Sequence, residues 1–205
     1  MRTLPAFVTL AAALALSACV APVGPVEVTR FHAPDMSRLG QGTIRVEPAP
    51  GQADSLEFRT YAAAVARELT RIGYTEPLPG QSGSSTASAQ VALLTLERNT
   101  YQPQRSNSPV SVGVGGGTGG YGSGVGLGIG FDLSGKPKEQ VETRVFVSIR
   151  ERGAAPTATA LWEGRAGFVV RGDSPLAQAP LGSAKVAEAL FKGFPGQSGE
   201  TIQVK

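Results

Sequence analysis

Glu139–Arg152, EQVETRVFVSIRER, alternates with a two-residue period. Val141, Thr143, Val145, Val147 and Ile149 fall on one side of a two-residue repeat. Glu142, Arg144, Ser148 and Arg150 fall on the other, with Phe146 the one large apolar residue among them. A helix would scatter these two sets around its axis, whereas a strand separates them onto opposite faces. The stretch reads as a half-buried antiparallel strand, apolar toward a core and charged toward water. Gly153 to Pro156 supplies a turn, and Thr159 to Arg171 (TALWEGRAGFVVR) is the expected hairpin partner.

The same reading extends in both directions. Val26 to Phe31 alternates weakly and is expected as a first strand. Thr43 to Glu47 (TIRVE) is a second, stopped by Pro48 and Pro50. Phe58, Ala62, Val65, Leu69 and Ile72 recur at spacings of four and three and share one helical face. Asp54 or Ser55 can cap that helix and Gly73 can close it, with Arg59, Arg67, Glu68 and Arg71 on the remaining surface. Gln81 to Ser88 (QSGSSTAS) is a loop. Val91 to Arg98 (VALLTLER) reads as a largely apolar strand, expected to be buried on both faces. A last helix is expected between Leu181 and Phe194, with Ala187, Leu190, Phe191 and Phe194 as its apolar face and Pro195-Gly196 as its stop. The order is β-β-α-β, a glycine-rich hairpin, then β-β-α. This is an α+β fold, a mostly antiparallel sheet with two helices packed on one face.

The glycine-rich insert, 112–131, contains GGGTGG at Gly115–Gly120 and GTGGYG at Gly117–Gly122. Both satisfy the dinucleotide-binding spacing. That spacing has meaning only between a strand and a helix. No helical pattern follows; Gly124, Gly126, Gly128 and Gly130 alternate with Val125, Leu127 and Ile129. The favoured reading is a hairpin of Pro109 to Gly115 with Val125 to Asp132. Its bare glycine face permits close approach by another surface.

The N-terminus carries a different signal. Arg2 is followed by an apolar run from Leu4 to Leu16, too short to span a bilayer as a helix. Leu16, Ser17 and Ala18 precede Cys19, the one cysteine of the chain. Leu16-Ser17-Ala18-Cys19 resembles a bacterial lipobox. Residues 1–18 are then a signal peptide, with Leu16, Ser17 and Ala18 as the signal-peptidase recognition residues. Residues 19–26 are a lipidated N-terminus and tether, and 27–205 a single domain. The resemblance implies cleavage before Cys19 and lipid on its sulfur and new amino group. Several acyl chains give stable anchoring where one is marginal. Val20 stands where an aspartate would signal inner-membrane retention in Gram-negative lipoproteins, which points to the outer membrane with the domain facing the periplasm. With Cys19 so committed, no disulfide is available within the chain.

The formal charge is +3 and the sequence pI about 9.2. Acids and bases are interspersed, so no nucleic-acid footprint is expected. Chemistry is equally sparse. His32, the one histidine, lies near Asp35 and is read as a turn residue rather than a base or metal ligand. No nucleophile elbow, zinc spacing or calcium loop occurs, so no catalytic residue, metal or cofactor is expected. Glu142 and Glu163, near Arg144 and Arg165, are read as ion-paired on a solvated sheet face rather than as a hydrolytic pair. Trp162 is read as core or rim packing before a ligand platform.

A further resemblance rests on these pieces in order. They are the lipobox, the helix Ala64–Tyr74 (AVARELTRIGY), the strand Ala89–Leu93 (AQVAL), the glycine-rich stretch, Leu161–Ala166 (LWEGRA) and Phe191–Pro195 (FKGFP). Together they resemble the proteobacterial lipoproteins grouped as domain of unknown function 4136 (DUF4136). The usual Ala-Asp-Leu opening of the middle strand is here Ala89-Gln90-Val91. The resemblance implies an envelope location and this fold plan, and brings no catalytic residues. The expected function is a membrane-anchored lipoprotein whose non-catalytic periplasmic domain binds another envelope component, a protein or the cell-wall layer. The alternatives are a lipid-anchored carboxylate-dependent hydrolase, or a carrier holding a small apolar ligand between sheet and helices against Val91, Leu93 and Phe146.

Overall fold

A computed structural model describes residues 24–77, 89–103, 110–116, 125–131, 138–155 and 158–205. The lipobox at Cys19 and the loop from Gln81 to Ser88 lie outside the described residues. The elements run β1 (Val26–His32), β2 (Ile44–Pro48), α1 (Leu56–Arg71), β3 (Gln90–Tyr101), β4 (Val110–Gly116), β5 (Val125–Phe131), β6 (Gln140–Glu151) and β7 (Trp162–Arg171). A one-turn 3-10 helix (Pro175–Ala177), α2 (Ala179–Phe191) and β8 (Thr201–Val204) follow. Six strands form one sheet in the order β2-β3-β6-β7-β1-β8. Every pair is antiparallel except β2 with β3.

The alternation of β6 sets the core. Val141, Thr143, Val145, Val147 and Ile149 are all buried. Register places them beside Val170, Phe168, Ala166, Gly164 and Trp162 of β7. On the other side Ile149 stands against Ala92 and Val147 against Leu94 of β3. Both helices cover this face, and their buried residues join the same cluster. Each large aliphatic side chain so buried contributes roughly 1.5–3 kcal/mol, which is what holds the two layers together.

Ser55 caps α1, its hydroxyl accepting the Phe58 N–H at 3.0 Å. Gly73 follows at φ +114, and a Cβ there would stand 2.5 Å from the Gly40 carbonyl oxygen. The buried stripe of α1 is Phe58, Tyr61, Ala64, Val65 and Leu69. Ala62 and Ile72, expected on that face, are only partly buried. The stripe turns toward Tyr61 and Ala64 because α1 packs on α2 as well as on the sheet.

Three expectations are corrected. β3 is not buried on both faces: Gln90, Ala92 and Leu94 are buried while Val91 and Leu93 are half-exposed, because the helices occupy one side of the sheet. The last helix begins at Ala179, with Pro180 in its first turn where a missing N–H does no harm. It ends at Phe191, before Phe194, where Arg30 takes its last carbonyls. The C-terminal strand β8, pairing along β1, was not foreseen; four residues are too short for alternation to declare itself.

The insert forms its own two-stranded sheet. Val110 pairs with Phe131, Val112 with Ile129, and Gly113 with Gly128. A strand rather than a helix follows the glycine spacing, so the context of a dinucleotide site is missing. Tyr101 opposite Gln140 ends the ladder of β3 with β6, and Val110 opposite Phe131 opens the ladder of β4 with β5. The insert lies between β3 and β6 in the chain.

Candidate functional site

With both helices on one face, no helix or strand among the described residues covers the opposite face of the sheet. Register builds it in rows. Glu27, Gly167, Arg144 and Glu97 stand side by side across β1, β7, β6 and β3. The next row is Thr29, Arg165, Phe146 and Thr95. Glu142 lies in the row beyond, opposite Val169. These residues line an open groove of about 840 Å³. The absent side chain of Gly167 lowers the groove floor between Glu27 and Arg144.

The groove carries both signs of charge. Arg144 Nη2 meets Glu142 Oε1 at 2.6 Å, which ties that cation to its own strand. Arg165 lies over the Phe146 ring, its guanidinium carbon 5.4 Å from the centroid. A cation over a ring face is attracted by it, and a guanidinium there still has N–H groups with which to donate to an anion. Glu27 and Glu97 stand exposed at opposite sides of the neighbouring row. The face can therefore seat an extended segment that brings a carboxylate to Arg165 and cations to the glutamates. A second, shallower depression of about 550 Å³ lies between α1 and α2, lined by Arg67, Glu68, Arg71, Glu188 and Lys192. There Arg71 is already paired with Glu68 at 2.7 Å.

The remaining candidate residues are placed as follows. Glu163 is opposite Ser148, whose hydroxyl donates to it at 3.3 Å, and Arg150 lies 3.8 Å away. Arg165, expected as a partner of these carboxylates, sits on Phe146 instead. Since Ser148 faces Glu163 and Glu142 faces Val169, six residues of strand separate the two glutamates. At about 3.3 Å per residue this is about 20 Å, beyond the ~9.5 Å reach of a hydrolytic pair. The ring Nδ1–H of His32 donates to the Ala33 carbonyl at 2.8 Å, and Asp35 accepts the Ser37 N–H at 2.9 Å. Those hydrogen bonds to Ser37 hold the Asp35 carboxyl below its ordinary range. Among the described residues no group of three metal-ligating side chains comes together.

Trp162 is fully buried. Its indole N–H donates to the Pro195 carbonyl at 2.9 Å, and its rings stack on Phe191 at 5.4 Å. It is a core residue and no ligand platform. Gly164 makes this possible, since a Cβ there would stand 2.2 Å from the indole. Val91, Leu93 and Phe146 stand in register with Arg150, Ser148 and Arg165, on the face away from the helices. The pocket imagined between sheet and helices around those three is therefore not formed by them. Phe146 alone of the three lines the open groove.

Sequence reasoning missed the buried polar residues. Arg30 is inside the core and binds three backbone carbonyls. The Tyr74 hydroxyl donates to Gln90 Oε1 at 3.2 Å, and the Gln90 amide donates to the Arg38 carbonyl at 2.9 Å. The Gln90 departure from the Ala-Asp-Leu pattern thus lies at a residue that pins the 38–41 segment. The Tyr61 hydroxyl is buried without a hydrogen-bond partner among the described residues. Burial pushes its pKa up, with the nearby Thr143 hydroxyl opposing.

Fold and face together define an α+β domain with one helix-covered and one open sheet face. No family model matches the chain. An uncharacterized protein of Zymomonas mobilis subsp. mobilis is 34% identical over 232 residues, an alignment covering 95% of this chain and 84% of that protein. The chain belongs to one family with it. A PDZ domain protein from Parabacteroides distasonis aligns with a TM-score of 0.47 and 9% identity, over 88% of this chain and 39% of that one. A likeness of that size carries no argument.

Proposed function

We propose that the chain is a bacterial lipoprotein of the DUF4136 type, held by lipid on Cys19 in the outer membrane. Its periplasmic domain binds another cell-envelope component and performs no catalysis. The observation that carries the binding role is the open groove, with Arg165 over the Phe146 ring and Glu27 and Glu97 to either side. A guanidinium beside exposed carboxylates suits a zwitterionic peptide segment of an envelope protein or of the cell-wall layer.

The test is capture in living cells. The full-length chain carries a photo-crosslinking residue at Thr95, on the groove edge. One dominant envelope component is expected, lost in Arg165→Glu and retained in a substitution at Arg67 on the other face. Equal capture by wild type and Arg165→Glu would overturn the groove as the binding face.

A hydrolytic reading retains one observation. Glu97 lies diagonal to Glu142 on the same face, a position that sets neighbours about 7–8 Å apart and lets their carboxyl groups reach the separation of an acid–base pair. Glu142 is already ion-paired to Arg144, which ties one carboxylate of that pair to its own strand. Release of cell-wall fragments by wild type, abolished in Glu97→Gln, would favour this reading.

A further inference from the structure

The groove lies where the N-terminal tether enters the domain. Gly24 and Pro25, with which the described residues begin, line it together with Glu27 and Thr29. Cys19 precedes Gly24 by five residues. A trans chain reaches at most about 3.6 Å per residue, so that stretch spans at most about 18 Å. A lipid on Cys19 keeps the near edge of the groove within that distance of the anchored residue.

Charge narrows what can sit there. Glu27 faces Gly167 and Arg165 faces Thr29, so Glu27 and Arg165 are diagonal neighbours on adjacent strands. Such positions stand about 7–8 Å apart. Both residues are exposed, and among the described residues neither forms an ion pair. In an extended peptide, residues two positions apart point to one side and stand about 6.6 Å from each other. A segment with a basic and an acidic residue at that spacing meets Glu27 and Arg165 with both charges. A strand of the cell-wall layer would have to come to the membrane to enter a groove on so short a tether. A periplasmic segment of a protein embedded in the same membrane is already there.

We infer, on the reading that Cys19 carries lipid and the groove binds a partner, that the occupant is an extended segment of a membrane-embedded protein at the membrane surface. Its basic residue meets Glu27 and its acidic residue, two positions away, meets Arg165.

Tether length is the test. The full-length chain with the photo-crosslinking residue at Thr95 is compared in living cells with two others. One carries about twenty Gly/Ser residues between Ala21 and Pro22, and one carries the same addition after Lys205. Effective concentration falls with about the three-halves power of tether length, so a tether about five times longer should lower capture about tenfold. The C-terminal addition should leave it within twofold. Mass spectrometry of the adduct should show a membrane-spanning protein, joined through a segment with a basic and an acidic residue two positions apart. Capture within twofold of wild type, or raised, in the long-tether chain would overturn the inference. So would an adduct of cell-wall fragments or of phospholipid alone. The mass of the N-terminal peptide and the Arg165→Glu chain are read beside these. A free Cys19, no adduct in any chain, or capture that survives Arg165→Glu defeats the anchor or the groove itself. Tether-independent capture with both intact defeats only the choice of occupant.

Discussion

Arg30 Nη1 lies 3.0 Å from Glu200 Oε1, and the arginine of that pair is almost wholly buried. The same guanidinium donates to the carbonyls of Leu190 and Ala189 at 3.2 Å and of Lys192 at 2.7 Å. It therefore closes the C-terminus of α2, where unpaired carbonyls concentrate negative charge. Arg30 follows Val26 and Val28 on the inward face of β1, and Gly196 leaves room for it, since a Cβ there would stand 2.9 Å from the arginine side chain. One residue thus joins β1, α2 and the segment leading to β8.

Removing that arginine leaves the Leu190 and Lys192 carbonyls without this donor and the Glu200 carboxylate without its cation, while Ala189 keeps the Lys192 N–H. Arg30→Ala should cost about 3–5 kcal/mol of unfolding free energy. Glu200→Ala should cost less, about 1–2 kcal/mol, because Glu200 is partly exposed. Arg30→Lys should not rescue, since an ammonium cannot span the fork of acceptors. Urea denaturation of the three variants checks the order; equal losses for Arg30→Ala and Glu200→Ala would contradict it.

The two buried tyrosines should separate. Tyr74 donates to Gln90, so Tyr74→Phe strands an amide oxygen and should lose about 1 kcal/mol. The Tyr61 hydroxyl has no hydrogen-bond partner among the described residues, so Tyr61→Phe should be neutral or stabilising by up to about 1 kcal/mol. Burial raises both phenol pKa values above the ordinary 10.0. The unfolded chain then releases protons first, and stability falls as pH rises above that value. Unfolding at pH 8 and pH 11 measures the decline, which should be shallower in either phenylalanine variant.

At the acid end, the Lys138 ammonium at 2.6 Å and the Arg171 guanidinium hold the Asp173 carboxyl below its ordinary 3.8. Its contribution is present above that ordinary value and lost as pH falls through the depressed one. Lys138→Ala should move the Asp173 midpoint upward toward 3.8. A carboxyl-carbon NMR titration reads the shift directly. At neutral pH the variant should unfold as wild type does, since exposed ion pairs contribute little.

Within the groove, Arg165→Ala and Phe146→Ala should both weaken partner capture. Arg165→Ala should leave stability within about 0.5 kcal/mol, as surface substitutions do. Arg165→Lys should weaken capture as well, because an ammonium lacks the planar fork that the Phe146 ring holds in place. A pull-down with purified variants, read beside thermal melting, separates a binding loss from a folding loss.

The fold was legible where one period ran long enough to be unambiguous. β6 was readable from its alternation and α1 from its three- and four-residue spacing. β8 was not, at four residues. Nor were the faces of β3, since an apolar run does not say how many layers cover it. The site was half-legible. Glu142, Arg144 and Arg165 were singled out, but their partners depend on register. Register brings Arg165 to Phe146 and keeps Glu142 far from Glu163. Arg30 was not singled out, because its burial depends on Gly196 and α2, distant in the chain. A charged residue at an inward position of an otherwise apolar alternation was the one available hint.

The mass of the N-terminal peptide, from full-length chain isolated from membranes, decides whether the proposed lipid anchor at Cys19 exists. The expected chain begins at Cys19, with a diacylglyceryl thioether on its sulfur and an acyl group on its amine, and a Cys19→Ser chain lacks both and leaves the membrane fraction. A chain beginning elsewhere, or Cys19 recovered with a free thiol, excludes the lipid anchor.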